Sequence, residues 1–211
     1  MATADQEASR RFTAAPHPEL GAAGRKYVVE LIGTFFLMFA VAMASYTGSA
    51  FTPLAAGATL MVMIYAGGHI SGGHFNLAVT MAVLCRRRIG IGDAVGYWIA
   101  QVAGGVVAAV IARAVVNPAT VKTLHLTGHA VTAAAVSELL ITFALCYVVL
   151  NVATSKDQPG NGFFGLAIGF TVVAGAFAVG GISGGSFNPA VTLGAGLADG
   201  LAFLTLNPGG R

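Results

Sequence analysis

The sequence predicts an all-α transmembrane fold made of two inverted repeats, and three observations lead to this prediction. First, 56% of the 211 residues are hydrophobic and only 9% are charged, whereas soluble domains carry about 25% charged residues. Second, no Asp, Glu, Lys or Arg occurs from Leu31 to Cys85 or from Gln158 to Ala198. Third, a ten-residue segment occurs twice. A spanning helix needs about 20 apolar residues, so each uncharged run must cross the bilayer and turn back within it.

The elements follow from the apolar segments and the polar stretches between them. Residues 1–26 are polar and predict a disordered cytoplasmic tail. All apolar segments are expected to be helices, because only helices and closed barrels satisfy their backbone groups in lipid. The expected spans are 27–47, 53–69, 93–116, 131–154 and 162–182, and two pieces too short to span lie at 76–85 and 188–196. The first repeat is thus expected at 27–116, an external connecting loop at 117–130 and a second repeat at 131–211.

The basic residues predict the orientation of the chain. If the N-terminus is cytoplasmic, eight of the eleven Lys and Arg residues face the cytoplasm, among them the run from Arg86 to Arg88. The opposite orientation would place those eight outside, against the positive-inside rule. We therefore expect a multi-pass protein, with the cell membrane as its expected location, whose N-terminus is cytoplasmic. Since topology explains the basic residues, the net charge of +3 does not indicate binding of nucleic acid.

The internal repeat carries most of the functional information. The segments from Ser71 to Thr80 and from Ser183 to Thr192 agree at eight of ten positions. The segment Glu30-Leu-Ile-Gly-Thr-Phe is likewise matched in the second half by Glu138-Leu-Leu-Ile-Thr-Phe. Three spans separate the copies, and an odd number inverts the second one. The halves are therefore expected to be related by a pseudo-two-fold axis in the membrane plane.

The residues of each repeated segment suit an irregular loop that lines a cavity within the membrane. Its paired glycines permit backbone conformations that are closed to other residues, so that carbonyl groups can point into a cavity. Asn76 and Asn188 are good N-caps, and each precedes a helix too short to span. Two half-helices are then expected to meet N-terminus to N-terminus at the midplane, where their dipoles repel cations. The expected loop residues are Gly72, Gly73, His74, Gly184 and Ser186.

These motifs resemble the aquaporin, or major intrinsic protein, family over residues 27–196. The resemblance implies six spanning helices and two half-helices, one pore per subunit, a homotetramer, and passive flow of water or small uncharged solutes without a cofactor. The first signature triplet departs from the family, since it reads Asn76-Leu77-Ala78 where the second reads Asn188-Pro189-Ala190. Leu is sterically compatible with the first helical position that Pro favours, so the half-helix is expected to persist.

A second departure concerns the narrow selectivity filter that the resemblance implies. Water-selective members have bulky aromatic or His residues and an Arg there. Because pore diameter and lining donors set selectivity, we expect weak discrimination, with glycerol, urea, ammonia or peroxide passing besides water. The four filter positions in this chain are Ala56, Ala176, Gly185 and Val191.

The third departure lies at the C-terminus. The apolar part after Gly196 is about Leu201–Leu206, far shorter than the roughly 20 residues of a span. Five spans are therefore visible, and the sixth is expected to be absent or truncated. A pore-incompetent member of the family is accordingly one alternative to a channel.

An ion-coupled secondary transporter is a second alternative, because such proteins also use inverted repeats and broken helices. Its candidate proton carriers would be Glu30 and Glu138, since intramembrane acids are functional candidates by default. Both recur with the repeat, however, and the family uses these carboxylates to hold loop N–H groups, so we expect structural support. No metal site, nucleophile–base pair or phosphate loop is evident, and the chain is not expected to be an enzyme.

Overall fold

The computed structural model describes residues 21–116 and 126–206, with side chains described as far as Asp199. Residues 1–20 of the expected tail and 117–125 of the expected loop lie outside the described residues, as do residues 207–211 at the C-terminus. Within the described ranges the helices are α1 Ala22–Tyr46, α2 Thr52–Ser71, α3 Leu77–Cys85, α4 Ile91–Val115, α5 His129–Thr154, α6 Phe164–Ser183 and α7 Pro189–Leu206.

Five of these helices, α1, α2, α4, α5 and α6, are long and apolar enough to cross a membrane. Helix α3, which has nine residues, and helix α7, which has 18, each follow a loop that leaves the end of a spanning helix, as the sequence predicts. The predicted fold class, an all-helical transmembrane chain with inverted repeats, is confirmed.

Two helix boundaries differ from the predicted ones by more than two residues. Helix α1 begins at Ala22, so residues 22–26 of the expected tail are helical, and Lys26 pairs with Asp93 at the start of α4 (2.9 Å). Helix α7 continues past Gly196 to Leu206, so the expected end of the second short piece at 196 is wrong. A glycine inside a helix costs only about 1 kcal/mol. Packing on α4 and an ion pair between Arg113 and Asp199 support the extension.

The two halves cross at a pair of glycines that are themselves related by the repeat. A Cβ added at Gly57 of α2 would lie 2.3 Å from the carbonyl oxygen of Gly169 in α6, and one added at Gly169 would lie 2.5 Å from that of Gly57. Only glycine permits so close an approach of the two backbones, as at other small-residue crossings in membranes. Because the repeat relates these two glycines to each other, their crossing lies at the pseudo-two-fold axis.

Apolar side chains fill the interior of the molecule and also cover its outer surface. Buried Leu, Ile, Val, Met and Phe side chains from α1 to α7 form one core cluster. Large apolar residues such as Phe143, Phe177 and Ile99 are exposed on the outer surface, as expected for helices that face lipid.

In the described structure, other helices cover α1 of the first half more completely than they cover α5, its counterpart in the second half. Helix α4 packs against α1 and against α7. Among the described residues, no helix packs against α5 in the way that α4 packs against α1. Helix α6 instead covers a different face of α5, as α2 does for α1.

Candidate pore

Helices α3 and α7, the two half-helices, each begin directly after a repeated asparagine. The side-chain oxygen of Asn76 accepts hydrogen bonds from the backbone N–H groups of Ala78 (2.8 Å) and Val79 (3.4 Å). That of Asn188 accepts one from Ala190 N–H (3.0 Å). Each asparagine therefore satisfies backbone donors that the first turn of a helix leaves free.

The same two side chains join the halves of the molecule. Asn76 Nδ2 donates to the carbonyl oxygen of Phe187 over 2.8 Å, and Asn188 Nδ2 donates to that of Phe75 over 2.8 Å. The short helices consequently meet N-terminus to N-terminus. A side-chain amide carries two N–H donors, so each asparagine keeps one donor beyond this contact.

The loops that present these carbonyl groups have a strained backbone. Phe75 and Phe187 adopt φ angles of 48° and 47°, in the left-handed region that bulky residues rarely enter. Both rings are buried at 1% exposure, which anchors the backbone in this conformation. Gly72 and Gly184 end the preceding helices at φ angles of 90° and 91°. Strain of this kind is retained where the surrounding structure holds it, and it clusters at functional sites.

Glu30 holds the first loop. Its Oε1 accepts from Ser71 Oγ (2.7 Å) and His74 N–H (2.9 Å), and its Oε2 accepts from Phe75 N–H (2.7 Å) and Gln101 Nε2 (2.8 Å). The carboxylate is fully buried, and all four partners are donors. Burial of a charged group is tolerated when hydrogen bonds compensate it in this way.

Glu138 makes the corresponding contacts in the second loop, with one exception. Its Oε1 accepts from Ser183 Oγ (2.7 Å) and Ser186 N–H (3.1 Å), and its Oε2 accepts from Phe187 N–H (2.7 Å). No counterpart of Gln101 reaches it among the described residues. Glu138 is only half-buried.

His74 and Ser186 occupy equivalent places in the two loops. The Nδ1 atom of His74 lies 3.1 Å from Thr80 Oγ1, and Ser186 Oγ lies 2.8 Å from Thr192 Oγ1. The repeat thus preserves the hydrogen bond to threonine while the side chain changes from an imidazole to a hydroxyl.

Both asparagines line a narrow cavity of about 30 Å³. Among the described residues in its wall, none carries a carboxylate, ammonium or guanidinium group. Most of the wall consists of pairs related by the repeat: Leu37 and Leu145, Val41 and Val149, Ala56 and Ile168, Leu60 and Val172, Gly73 and Gly185, His74 and Ser186, Asn76 and Asn188, and Val79 and Val191.

Three of the four predicted filter positions, Ala56, Gly185 and Val191, line this cavity. Ala176 is buried but is not part of the wall. A Cβ added at Gly185 would lie 3.5 Å from Ala176 Cα, so that the two residues pack against each other.

Leu77 and Pro189, the residues that differ between the signature triplets, both occupy the first position of a short helix. The carbonyl oxygen of Leu77 accepts a hydrogen bond from the indole N–H of Trp98 on α4 (3.2 Å). The replacement of Pro by Leu in the first triplet therefore leaves the helix start intact.

A larger vestibule of about 740 Å³ lies next to the narrow cavity and shares His74 and Val149 with its wall. Lys26, Asp93, Arg88 and Lys156 also line it. The two cavities thus adjoin at His74 and Val149, and the larger one is lined by charged groups.

Several residues of this site are missing from the sequence-based prediction. The repeat contained the signal for six of them, because Ser71 and Ser183, Phe75 and Phe187, and Thr80 and Thr192 are identical in the two copies. The repeat gave no signal for Tyr97, whose hydroxyl donates to the carbonyl oxygen of Ser71 (2.5 Å), or for Gln101. Both lie on α4, for which the described residues contain no matching helix.

In the part of the chain that the structure describes, no three His, Cys, Asp or Glu side chains lie close enough together to hold a metal ion. The arrangement offers two amide donors, two helix N-termini and an apolar wall. Such a site can orient a neutral molecule by hydrogen bonds, and it opposes the entry of a cation.

Comparison with known proteins agrees with this geometry. The family described as "Major intrinsic protein" matches residues 23–203. A "Glycerol uptake facilitator protein-like 6" of Lactiplantibacillus plantarum is 39% identical over 178 residues, which cover 81% of this chain and 82% of the relative. "Aquaporin NIP2-1" of Oryza sativa subsp. japonica is 38% identical, over 87% of this chain and 65% of the relative.

Among solved structures, the aquaglyceroporin from Plasmodium falciparum superposes with a TM-score of 0.70 at 22% identity, covering 86% of this chain and 83% of that one. This similarity concerns the fold. The match over residues 23–203 and the sequence identity to the bacterial and plant relatives together show that this chain belongs to the major intrinsic protein family.

Proposed function

We propose that the chain is a passive channel for water and small uncharged solutes, with glycerol, urea, ammonia and hydrogen peroxide as candidates. One observation carries this proposal above the others. An uncharged cavity is lined by two asparagine amides, each at the N-terminus of a half-helix.

Neutral solutes fit the electrostatics of this passage. The two helix N-termini contribute partial positive charge at the same level of the cavity, which disfavours cations, including hydronium. The remaining N–H group of each asparagine can donate to an oxygen of a passing molecule. A neutral molecule with an acceptor atom would therefore pass more easily than an ion.

The filter positions support passage of solutes larger than water. Ala56, Gly185 and Val191 contribute no charge and no side chain larger than that of valine to the wall. Ala176, behind Gly185, adds no bulk. Since diameter and lining donors set selectivity, an apolar filter without a cation is expected to discriminate weakly. The glycerol facilitator-like protein among the relatives is consistent with glycerol as one solute.

The arrangement of the acidic residues disfavours the ion-coupled transporter. Both carboxylates accept hydrogen bonds from loop N–H groups and a serine, and Glu30 accepts a further one from Gln101. A proton carrier at these positions would release the loop each time it changed its charge. We therefore assign Glu30 and Glu138 to the support of the pore loops.

We also propose an orientation, a location and an oligomeric state for the chain. The N-terminus is assigned to the cytoplasm on the distribution of Lys and Arg, the location to the cell membrane, and the oligomer to a homotetramer on the family resemblance. No enzymatic activity is proposed, since members of this family are channels.

The test is stopped-flow light scattering on proteoliposomes. A sucrose shock reports water permeability, and gradients of glycerol or urea report solute permeability. The wild type is compared with Val191→Arg, which adds a cation and bulk at the filter, and with the control Val191→Ile, which adds bulk alone. Val191→Arg is expected to reduce glycerol permeability about tenfold while water permeability falls much less.

Equal loss of glycerol flow in Val191→Ile and Val191→Arg would show that size alone limits passage. A folded wild type that conducts neither water nor glycerol would contradict the channel and favour the pore-incompetent alternative. Saturable uptake that follows a sodium or proton gradient would instead favour the transporter.

A further inference from the structure

The two ends of the narrow cavity have equivalent backbones, because a pseudo-two-fold axis in the membrane plane exchanges the two sides of the molecule. A Cβ added at Gly73 would lie 3.4 Å from Ile64 Cα, and one added at the equivalent Gly185 would lie 3.5 Å from Ala176 Cα. Since the backbones match, a difference in width between the two ends depends on the side chains that line them.

Three paired positions in the wall of the cavity carry different side chains, and the other pairs are identical in residue type. The three pairs are Ile168 and Ala56, His74 and Ser186, and Val172 and Leu60. These pairs therefore decide which end of the cavity is narrower.

Ile168 and His74 lie at the end of the cavity that adjoins the vestibule, which we call the vestibule end. His74 lines both cavities. Ile168 lies one turn after Phe164, which begins α6 and lines the vestibule. Ala56 lies one turn after the start of α2, whose other end, at Ser71, reaches the vestibule. Alanine 56 and the serine that replaces His74 in the repeat consequently line the opposite end.

The vestibule end carries the larger side chains. It has a branched butyl group and an imidazole ring where the opposite end has a methyl and a hydroxymethyl group. The third pair differs in the opposite sense, since Leu60 is larger than Val172, but only by one methylene group. The vestibule end is therefore the narrower one.

Packing holds these side chains in place. The Nδ1 atom of His74 lies 3.1 Å from Thr80 Oγ1, and its ring packs edge-to-face against Tyr97 with 5.1 Å between the ring centroids. His74 and Ile168 are both buried, and Ile64, which packs behind the loop, is buried as well. A wall that cannot give way selects solutes by their diameter.

We propose that Ile168 and His74 form the constriction that sets the largest solute the pore admits, and that the filter positions at the opposite end do not set this limit. This assignment rests on the proposed channel function and deepens it, because it names the residues that decide which uncharged solutes pass. Glycerol and urea would pass the constriction, whereas polyols larger than glycerol would be held back at the vestibule end.

The experiment exchanges side chains between the two ends of the pore. Ile168→Ala gives the vestibule end the residue of the opposite end, and Ala56→Ile is the matched control, since it gives the opposite end the residue of the vestibule end. Because the loss of a large buried side chain can destabilise the fold, Ile168→Val is a milder second variant. Stopped-flow light scattering on proteoliposomes of the full chain measures the permeability to water, to glycerol and to erythritol, the next larger polyol.

Ile168→Ala is expected to raise erythritol permeability about tenfold and glycerol permeability about threefold, while water permeability changes less than about twofold. Ile168→Val is expected to raise erythritol permeability about threefold. Ala56→Ile is expected to lower glycerol and erythritol permeability equally, by about twofold, because it adds a second constriction of similar width in series with the first.

Two results would overturn the assignment while leaving the channel intact. One is unchanged erythritol permeability in both Ile168 variants with normal water flow. The other is a loss of erythritol flow in Ala56→Ile that is about tenfold greater than the loss of glycerol flow, which would place the size limit at the filter.

A wild type that conducts neither water nor glycerol would overturn the proposed channel function separately. Water flow that appeared in Ile168→Ala would then still support a constriction at the vestibule end. Its absence from both Ile168 variants would overturn the constriction together with the channel.

Discussion

Asn76 and Asn188 each donate a hydrogen bond of 2.8 Å from the side-chain nitrogen to the loop that carries the other asparagine. Each also caps its own half-helix with its side-chain oxygen. Each asparagine side chain thus connects the start of its half-helix to the junction between the two halves. Because the two contacts are reciprocal, neither loop can shift without disturbing the opposite asparagine.

Replacement of either asparagine by serine tests this linkage. Serine still caps a helix, but it is too short to reach the opposite carbonyl and has no amide donor. Asn76→Ser and Asn188→Ser are each expected to destabilise the protein by about 1 kcal/mol and to reduce water permeability several-fold. Thermal unfolding in detergent and stopped-flow light scattering measure the two effects. Markedly unequal losses in the two variants would contradict a shared role.

The two loop-supporting carboxylates differ in their expected contribution to stability. Both oxygens of Glu30 accept two donors each, so the amide in Glu30→Gln must direct its NH2 group at two of them. In Glu138→Gln the NH2 group can be turned toward a single donor, Phe187 N–H. We expect losses of about 3 kcal/mol for Glu30→Gln and about 1 kcal/mol for Glu138→Gln, as measured by denaturant unfolding. The reverse order would contradict this hydrogen-bond assignment.

The crossing of α2 and α6 provides a packing prediction with a matched control. Gly169→Ala places a methyl group 2.5 Å from the backbone oxygen of Gly57, and neither backbone can yield easily. A loss of about 1–3 kcal/mol is expected, with reduced water flow as the halves separate. Gly180→Ala, in the same helix with no atom within 4 Å of the added Cβ, is expected to be neutral or slightly stabilising. A similar loss in both variants would contradict the assignment of the loss to the crossing, because the added methyl group of Gly180→Ala meets no atom and alanine is the better helix former.

His74 is the largest polar side chain in the wall of the narrow cavity, and Ser186 shows what a smaller residue does in its place. Ser186 keeps the hydrogen bond to threonine, at 2.8 Å, so His74→Ser is expected to fold. The removal of the imidazole should widen the passage next to the vestibule and raise glycerol permeability about threefold. His74→Asn, which is closer in size, is the control. Unchanged glycerol flow in His74→Ser would show that the limiting constriction lies elsewhere.

The local elements of this protein follow from local sequence. The uncharged runs predict the spanning helices because burial in lipid requires about 20 apolar residues with paired backbone groups. The repeated Ser-Gly-Gly motif predicts the loops, since glycine at 72 and 184 permits the positive φ angles that end the helices there. Asn76 and Asn188 are recognisable as caps because capping depends on neighbours two or three residues away.

Only the tertiary structure decided which distant segments are in contact. Gln101 of α4 donates a hydrogen bond to Glu30 of α1, and Gly57 of the first half packs against Gly169 of the second. No pattern within these segments predicts which residue will be the partner. Ala176 packs against Gly185 instead of lining the cavity, and α7 continues to Leu206 because α4 supports it. Each of these outcomes depends on where helices cross, and crossings are set by the close packing of side chains from the whole chain.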